Sequence, residues 1–113
     1  MNIQIFGTKK SSDTRKAERF FKERRIKYQF VDMKQKGLSK GEFRSVRQAV
    51  GSLDAMLDPK CKDQDTLKLI EYLRPEDKEE KILDNQQVLL LPIVRNGRQA
   101  TVGYQPDVWK EWE

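Results

Sequence analysis

From Asn2 to Met33 the chain reads as strand, turn, helix and strand, with no residues left over for anything else. Asn2-Ile-Gln-Ile-Phe6 has the apolar content of a short buried strand, and Gly7 to Thr14 is a polar turn. Arg15 to Arg24 then places Ala17, Phe20 and Phe21 on one helical face with charges opposite. Ile26 to Met33, carrying Tyr28, Phe30 and Val31, reads as a second strand buried in part on both faces. Two strands this close on either side of a helix are joined by a right-handed crossover and lie parallel. Where the first strand meets its helix, free N–H groups point into the turn and the helix dipole favours negative charge. Proteins use such a corner to hold a phosphate-like anion or to stabilise a thiolate. Here it holds Ser11 and Ser12, and no cysteine.

The next start signal is Ser39-Lys-Gly-Glu42, a capping box with Leu38 and Phe43 in the hydrophobic-staple positions. Phe43, Val46 and Val50 share a face, and Gly51 supplies the stop. Leu53, Met56 and Leu57 form an apolar turn before Pro59. A third helix is expected from about Asp63 to Leu73, burying Leu67, Ile70 and Leu73. Pro75-Glu-Asp opens a fourth, with its acids where the dipole favours them, and Asn85 ends it. Val88 to Leu91 leads into Pro92 and Ile93-Val-Arg95, and Asn96-Gly97 marks a hairpin whose second arm runs to Gly103. A last helix begins near Pro106 and buries Val108, Trp109 and Trp112. The order β-α-β, helices, β-β, α suits a thioredoxin-like α/β fold. In it, a four-stranded mixed sheet spans a single domain, 1–113, with a helical insert at about 38–86.

Composition removes whole classes of chemistry. The chain has no histidine, which excludes Ser-His and Cys-His pairs, imidazole bases and most transition-metal sites. A lone Cys61 excludes an internal disulfide framework and a cysteine-rich zinc site. No apolar run is long enough to cross a bilayer, and the N-terminus lacks the layout of a signal peptide, so the cytoplasm is the expected location. Net charge is +5, which favours acidic partners. The basic residues are interleaved with acids, however, as in Arg15-Lys-Ala-Glu-Arg, and no nucleic-acid motif is present. That patterning argues for a solvated mixed-charge face rather than a nucleic-acid site.

Four stretches resemble the arsenate reductase (ArsC)/Spx family across nearly the whole chain. They are Ile5-Phe-Gly-Thr-Lys-Lys-Ser-Ser-Asp-Thr-Arg-Lys-Ala17, Lys27-Tyr-Gln-Phe-Val-Asp32, Leu91-Pro-Ile-Val94 and Val102-Gly-Tyr-Gln-Pro-Asp-Val-Trp109. Each is weak alone; their order and intervals carry the resemblance. It implies that Ser11 stands at the position of the family's redox cysteine and Thr14 at that of the second cysteine of Spx-type relatives. Leu91 then occupies the place of an arginine that arsenate reductases have before the hairpin proline. It further implies a cis bond at Pro92, facing the first turn. A serine hydroxyl ionises far outside the physiological range, forms no disulfide and has no histidine here to take its proton. The resemblance therefore describes a family fold without its nucleophile.

Two functions remain in view. One is a non-catalytic binding or regulatory module that holds a protein partner, as Spx-type relatives hold RNA polymerase. Its binding residues would be Lys9, Lys10, Ser12, Thr14, Arg15, Leu91 and Pro92 around Ser11, with the basic residues and the helix N-terminus also suited to a small anion. The other is a thiol-dependent oxidoreductase of the arsenate reductase type, using glutathione or glutaredoxin. It requires that Ser11 be an engineered replacement of cysteine, or that Cys61, flanked by Lys60 and Lys62, has a lowered pKa and acts itself. Ser11, Ser12 and Asp13 also have a purely structural reading as helix caps.

Overall fold

A computed structural model describes residues 1–112. Its sheet has the order β2-β1-β3-β4, built from β1 (Ile3–Gly7), β2 (Tyr28–Asp32), β3 (Ile93–Asn96) and β4 (Gln99–Val102). β1 pairs parallel with β2, Ile5 opposite Phe30, and antiparallel with β3, Ile5 opposite Val94. β3 and β4 form the antiparallel hairpin. Its two turn residues are Gly97 and Arg98, Asn96 being the last residue of β3. Gly97 has φ 62°, the positive angle that the first position of a tight hairpin turn requires.

The helices are α1 (Ser12–Glu23), α2 (Lys40–Val50), α3 (Gln64–Tyr72), α4 (Pro75–Leu83) and α5 (Pro106–Trp109). α1 starts three residues earlier than its apolar face suggests, because Ser11 caps it. At α2 the capping box closes as expected: Ser39 Oγ accepts from Glu42 N at 3.1 Å, and Glu42 Oε1 accepts from Ser39 N at 2.9 Å. Gly51 ends α2 with φ 94°. Asp63 caps α3, and Pro75 opens α4. No helix is long and apolar enough to cross a membrane among the described residues.

Alternation along the strands sends neighbouring side chains to opposite faces of the sheet. Ile3, Ile5 and Val94 face α1 and α5, packing with Ala17, Phe20, Phe21, Trp109 and Trp112. Phe6, Ile93 and Val102 face the other way, into a larger cluster supplied by the residues between β2 and β3, among them Leu38, Phe43, Val46, Met56, Ile70 and Ile82. The helical segment thus completes one side of the core that the sheet starts. Gln86 ties its two ends together. Its Oε1 accepts from Leu38 N at 2.7 Å, and its Nε2 donates to Leu38 O at 2.9 Å and Leu83 O at 3.2 Å.

β2 is an edge strand half-buried on both faces, as expected: Val31 packs on the cluster around Phe6, and Tyr28 and Phe30 pack on the one around Ile5. Gln86 to Val88 form a short 3-10 turn, and Leu89 makes a single bridge to Leu57. Two burial expectations are corrected. Leu73, the C-cap of α3, is only half-buried. Val108 is 41% exposed. The short α5 turns Trp109 inward instead, where its indole N–H donates to buried Thr101 Oγ1 at 2.8 Å.

Candidate functional site

The corner between β1 and α1 is built by a tight turn. Ser11 N donates to Thr8 O at 3.1 Å, and Ser11, in extended conformation, becomes the N-cap of α1. Its Oγ accepts from Thr14 N at 3.1 Å, while its carbonyl accepts from Arg15 N. The hydroxyl oxygen is therefore engaged in holding the helix start. Thr14 is fully buried against Gly7, and a Cβ at position 7 would run into the Thr14 side chain. That close approach is why glycine ends β1. Thr14 Oγ1 has no hydrogen-bond partner among the described residues.

A groove of about 790 Å³ opens from this corner. One wall is Thr8, Ser11, Ser12 and Asp13; another is Leu89, Leu90 and Leu91. The peptide bond from Leu91 to Pro92 is cis, as the resemblance implies. Pro92 is buried and its carbonyl accepts from Gly103 N at 2.9 Å. The Leu91 N–H beside it has no protein partner among the described residues.

The third wall is the loop Asp58 to Asp63, with Gln87 behind it. An Asx turn shapes the loop, Lys60 N donating to Asp58 Oδ1 at 2.9 Å. Gln64 Nε2 reaches back to Cys61 O at 2.6 Å, and Asp63 accepts from Thr66 and Gln87. Those hydrogen bonds, Thr66 hydroxyl first, hold the Asp63 carboxyl below its ordinary range. Nothing in the sequence placed this loop at the corner. The Asp63-to-Thr66 cap was its one legible signal, and it marks a helix start without showing where the loop folds.

Cys61 thus shares a groove with Ser11, which its position in the sequence did not suggest. The thiol-dependent alternative requires the flanking lysines to lower the Cys61 pKa, and the surroundings of the thiol act in the other direction. Burial, followed by the Asp58 carboxylate, pushes the thiol up. The side chain is 7% exposed and its Sγ donates to Asp63 O at 3.6 Å.

The expected basic cluster also disperses. Lys9 turns outward, 4.4 Å above the Phe30 ring and 3.9 Å from Glu18. Arg15 donates to Lys9 O at 2.7 Å, outside the groove, and Lys10 is exposed but does not line it. The charged groups that do line it are Asp13, Asp58 and Asp63 against Lys60 and Lys62. Of the residues singled out, then, Ser11, Ser12 and Leu91 meet in the groove, Thr14 and Pro92 are buried and do not line it, and Lys9, Lys10 and Arg15 do not line it either. No group of three metal-ligating side chains comes together among the described residues.

No protein-family model and no curated protein matches the chain. Solved structures do. An ArsC family related protein from Bacteroides fragilis superposes with a TM-score of 0.87, covering 98% of this chain and 97% of its own at 18% identity. An arsenate reductase from Vibrio cholerae gives a TM-score of 0.83 at 22% identity, covering 98% and 97%. An arsenate reductase (ArsC) related protein from Brucella melitensis gives 0.68 at 19% identity, covering 99% and 94%. Similarity of shape at these identities is similarity of fold: the chain has the thioredoxin-like ArsC fold.

Proposed function

We propose that this chain is a non-catalytic binding or regulatory module on the ArsC fold, one that holds an extended segment of a protein partner in the groove beside Ser11. The observation that carries this reading is the role of Ser11. At the position where the resemblance puts a redox cysteine, a hydroxyl caps a helix, and the chain has no histidine to take its proton. The unpartnered Leu91 N–H at the groove wall suits backbone pairing with an extended peptide. The mixed lining charges suit a protein segment better than a small anion, since three carboxylates face two ammonium groups. The test is partner retention by the immobilised chain. A bulky Ser12→Tyr change at the exposed edge of the groove should release a bound partner; retention undiminished by that change would contradict the reading.

One observation favours a thiol-dependent alternative, the presence of Cys61 in the same groove as Ser11. Its burial and raised pKa oppose a nucleophilic role. The Ser11→Cys chain, assayed for arsenate reduction with glutathione and glutaredoxin, tests whether the pocket is competent once sulfur is supplied. No activity in a folded Ser11→Cys chain would eliminate that alternative for this scaffold.

A further inference from the structure

A second, separate groove of about 320 Å³ lies further along α1, against the segment that leads into α5. Its floor is aromatic. Phe20 is nearly buried, and Tyr104, 41% exposed, packs edge-on to Trp109 at 5.6 Å between centroids. Its rim carries Lys16, Arg19, Arg24 and Lys110. The Arg24 guanidinium lies 3.7 Å above the Phe20 ring and donates to Phe20 O at 3.3 Å, which fixes its position before any ligand arrives. Neither Arg24 nor Arg19 pairs with a carboxylate among the described residues.

We propose that this groove docks an acidic segment of a protein partner, its carboxylates meeting Arg19 and Arg24 and an intervening apolar side chain lying on Phe20 and Tyr104. Charge complementarity selects this occupant over nucleic acid. Glu23 lines the groove, and Asp13 and Asp107 stand behind Lys16 and Lys110 at 3.9 and 3.6 Å, so the positive field is interrupted. Duplex DNA presents a charge about every 1.7 Å along its axis and would meet those carboxylates. A peptide can space its acids to avoid them and offer an apolar group to the floor. The overall charge of +5 assists encounter. The surface shares no lining residue with the Ser11 groove, so it stands whether or not that groove binds a partner.

The probe is a short fluorescent peptide in which Glu and Asp alternate with Leu and Tyr, its binding to the full chain read by anisotropy. Arg19→Glu with Arg24→Glu should weaken binding about tenfold or more, and Tyr104→Ala should weaken it at unchanged net charge. Lys34→Glu with Lys36→Glu, an equal change of charge on an exposed loop elsewhere, should weaken it far less. Because Arg24 also packs on Phe20, Arg19→Glu alone serves as the variant at an exposed residue with no ion pair to break among the described residues. Equal weakening by the two double variants would mean diffuse attraction and would overturn the proposal. Tighter binding of single-stranded DNA at the same residues would overturn it too, as would a dimer abolished by Arg19→Glu, since the occupant would then be a nucleic acid or a second copy.

Discussion

Ser11 Oγ accepts the backbone N–H of Thr14 at 3.1 Å, so the side chain at the corner is spent on the start of α1. Ser11→Ala should therefore destabilise the chain by about 1 kcal/mol, whereas Ser11→Asp, which accepts the same N–H, should keep most of that stability. Urea unfolding midpoints of the two variants check this. Equal midpoints for serine and alanine would mean that the hydroxyl is free for another purpose.

Gln86 holds the backbone of Leu38 from both sides, donating to its carbonyl and accepting from its N–H. Gln86→Ala should leave both groups unpaired in a half-buried setting and cost about 1–3 kcal/mol. Gly37→Ala should destabilise through the same clamp, because the added Cβ would meet the Gln86 amide. Denaturation curves of the single and double variants should show less than additive losses, since both act on one contact.

Cys61 should alkylate slowly in the folded chain. Burial and the Asp58 carboxylate raise its thiol pKa, so near neutral pH the thiolate fraction lies below that of an exposed cysteine. Iodoacetamide labelling followed by mass spectrometry should show slow modification of the native protein and rapid modification in urea. Asp58→Asn should quicken the native reaction, because it removes one cause of the upward shift.

Tyr28 donates its hydroxyl to Glu18 Oε1 at 2.8 Å, and burial together with that carboxylate pushes the phenol up from 10.0 to about 12. The folded value lies above the unfolded one, so the stability linked to this proton is whole below pH 10 and fades as pH rises through about 12. Tyr28→Phe should be less stable at neutral pH, and its deficit should shrink over that interval. Alkaline titration of tyrosinate absorbance should show one late-ionising group, absent from the variant.

Much of this fold was legible because local signals agreed with one another. The capping box at Ser39, Gly51 after Val50, Pro75 at a helix start and Gly97 in the hairpin each solve a backbone problem that only a few residue types solve. The start of α1 was less visible, because its first turn, Ser12 to Thr14, is polar and Ser11 caps it three residues before the apolar face begins. Val108 was misplaced because α5 has only four residues, too few for apolar spacing to define a face. At the site, Ser11 and Ser12 could be named from the turn that opens α1, and Leu91 from the family resemblance at Pro92. The Asp58–Asp63 loop could not, because its place depends on tertiary hydrogen bonds such as Gln87 to Asp63 at 3.0 Å. The directions of Lys9 and Arg15 were hidden for the same reason: a ring on β2 and a turn carbonyl, both distant from simple charge counting, determine them.

The central claim is that this corner binds without turning over, and arsenite release tests it most directly. The unmodified chain, supplied with arsenate, glutathione and glutaredoxin, should produce no arsenite above a protein-free control. Sustained production that stops when Cys61 is alkylated would contradict the account.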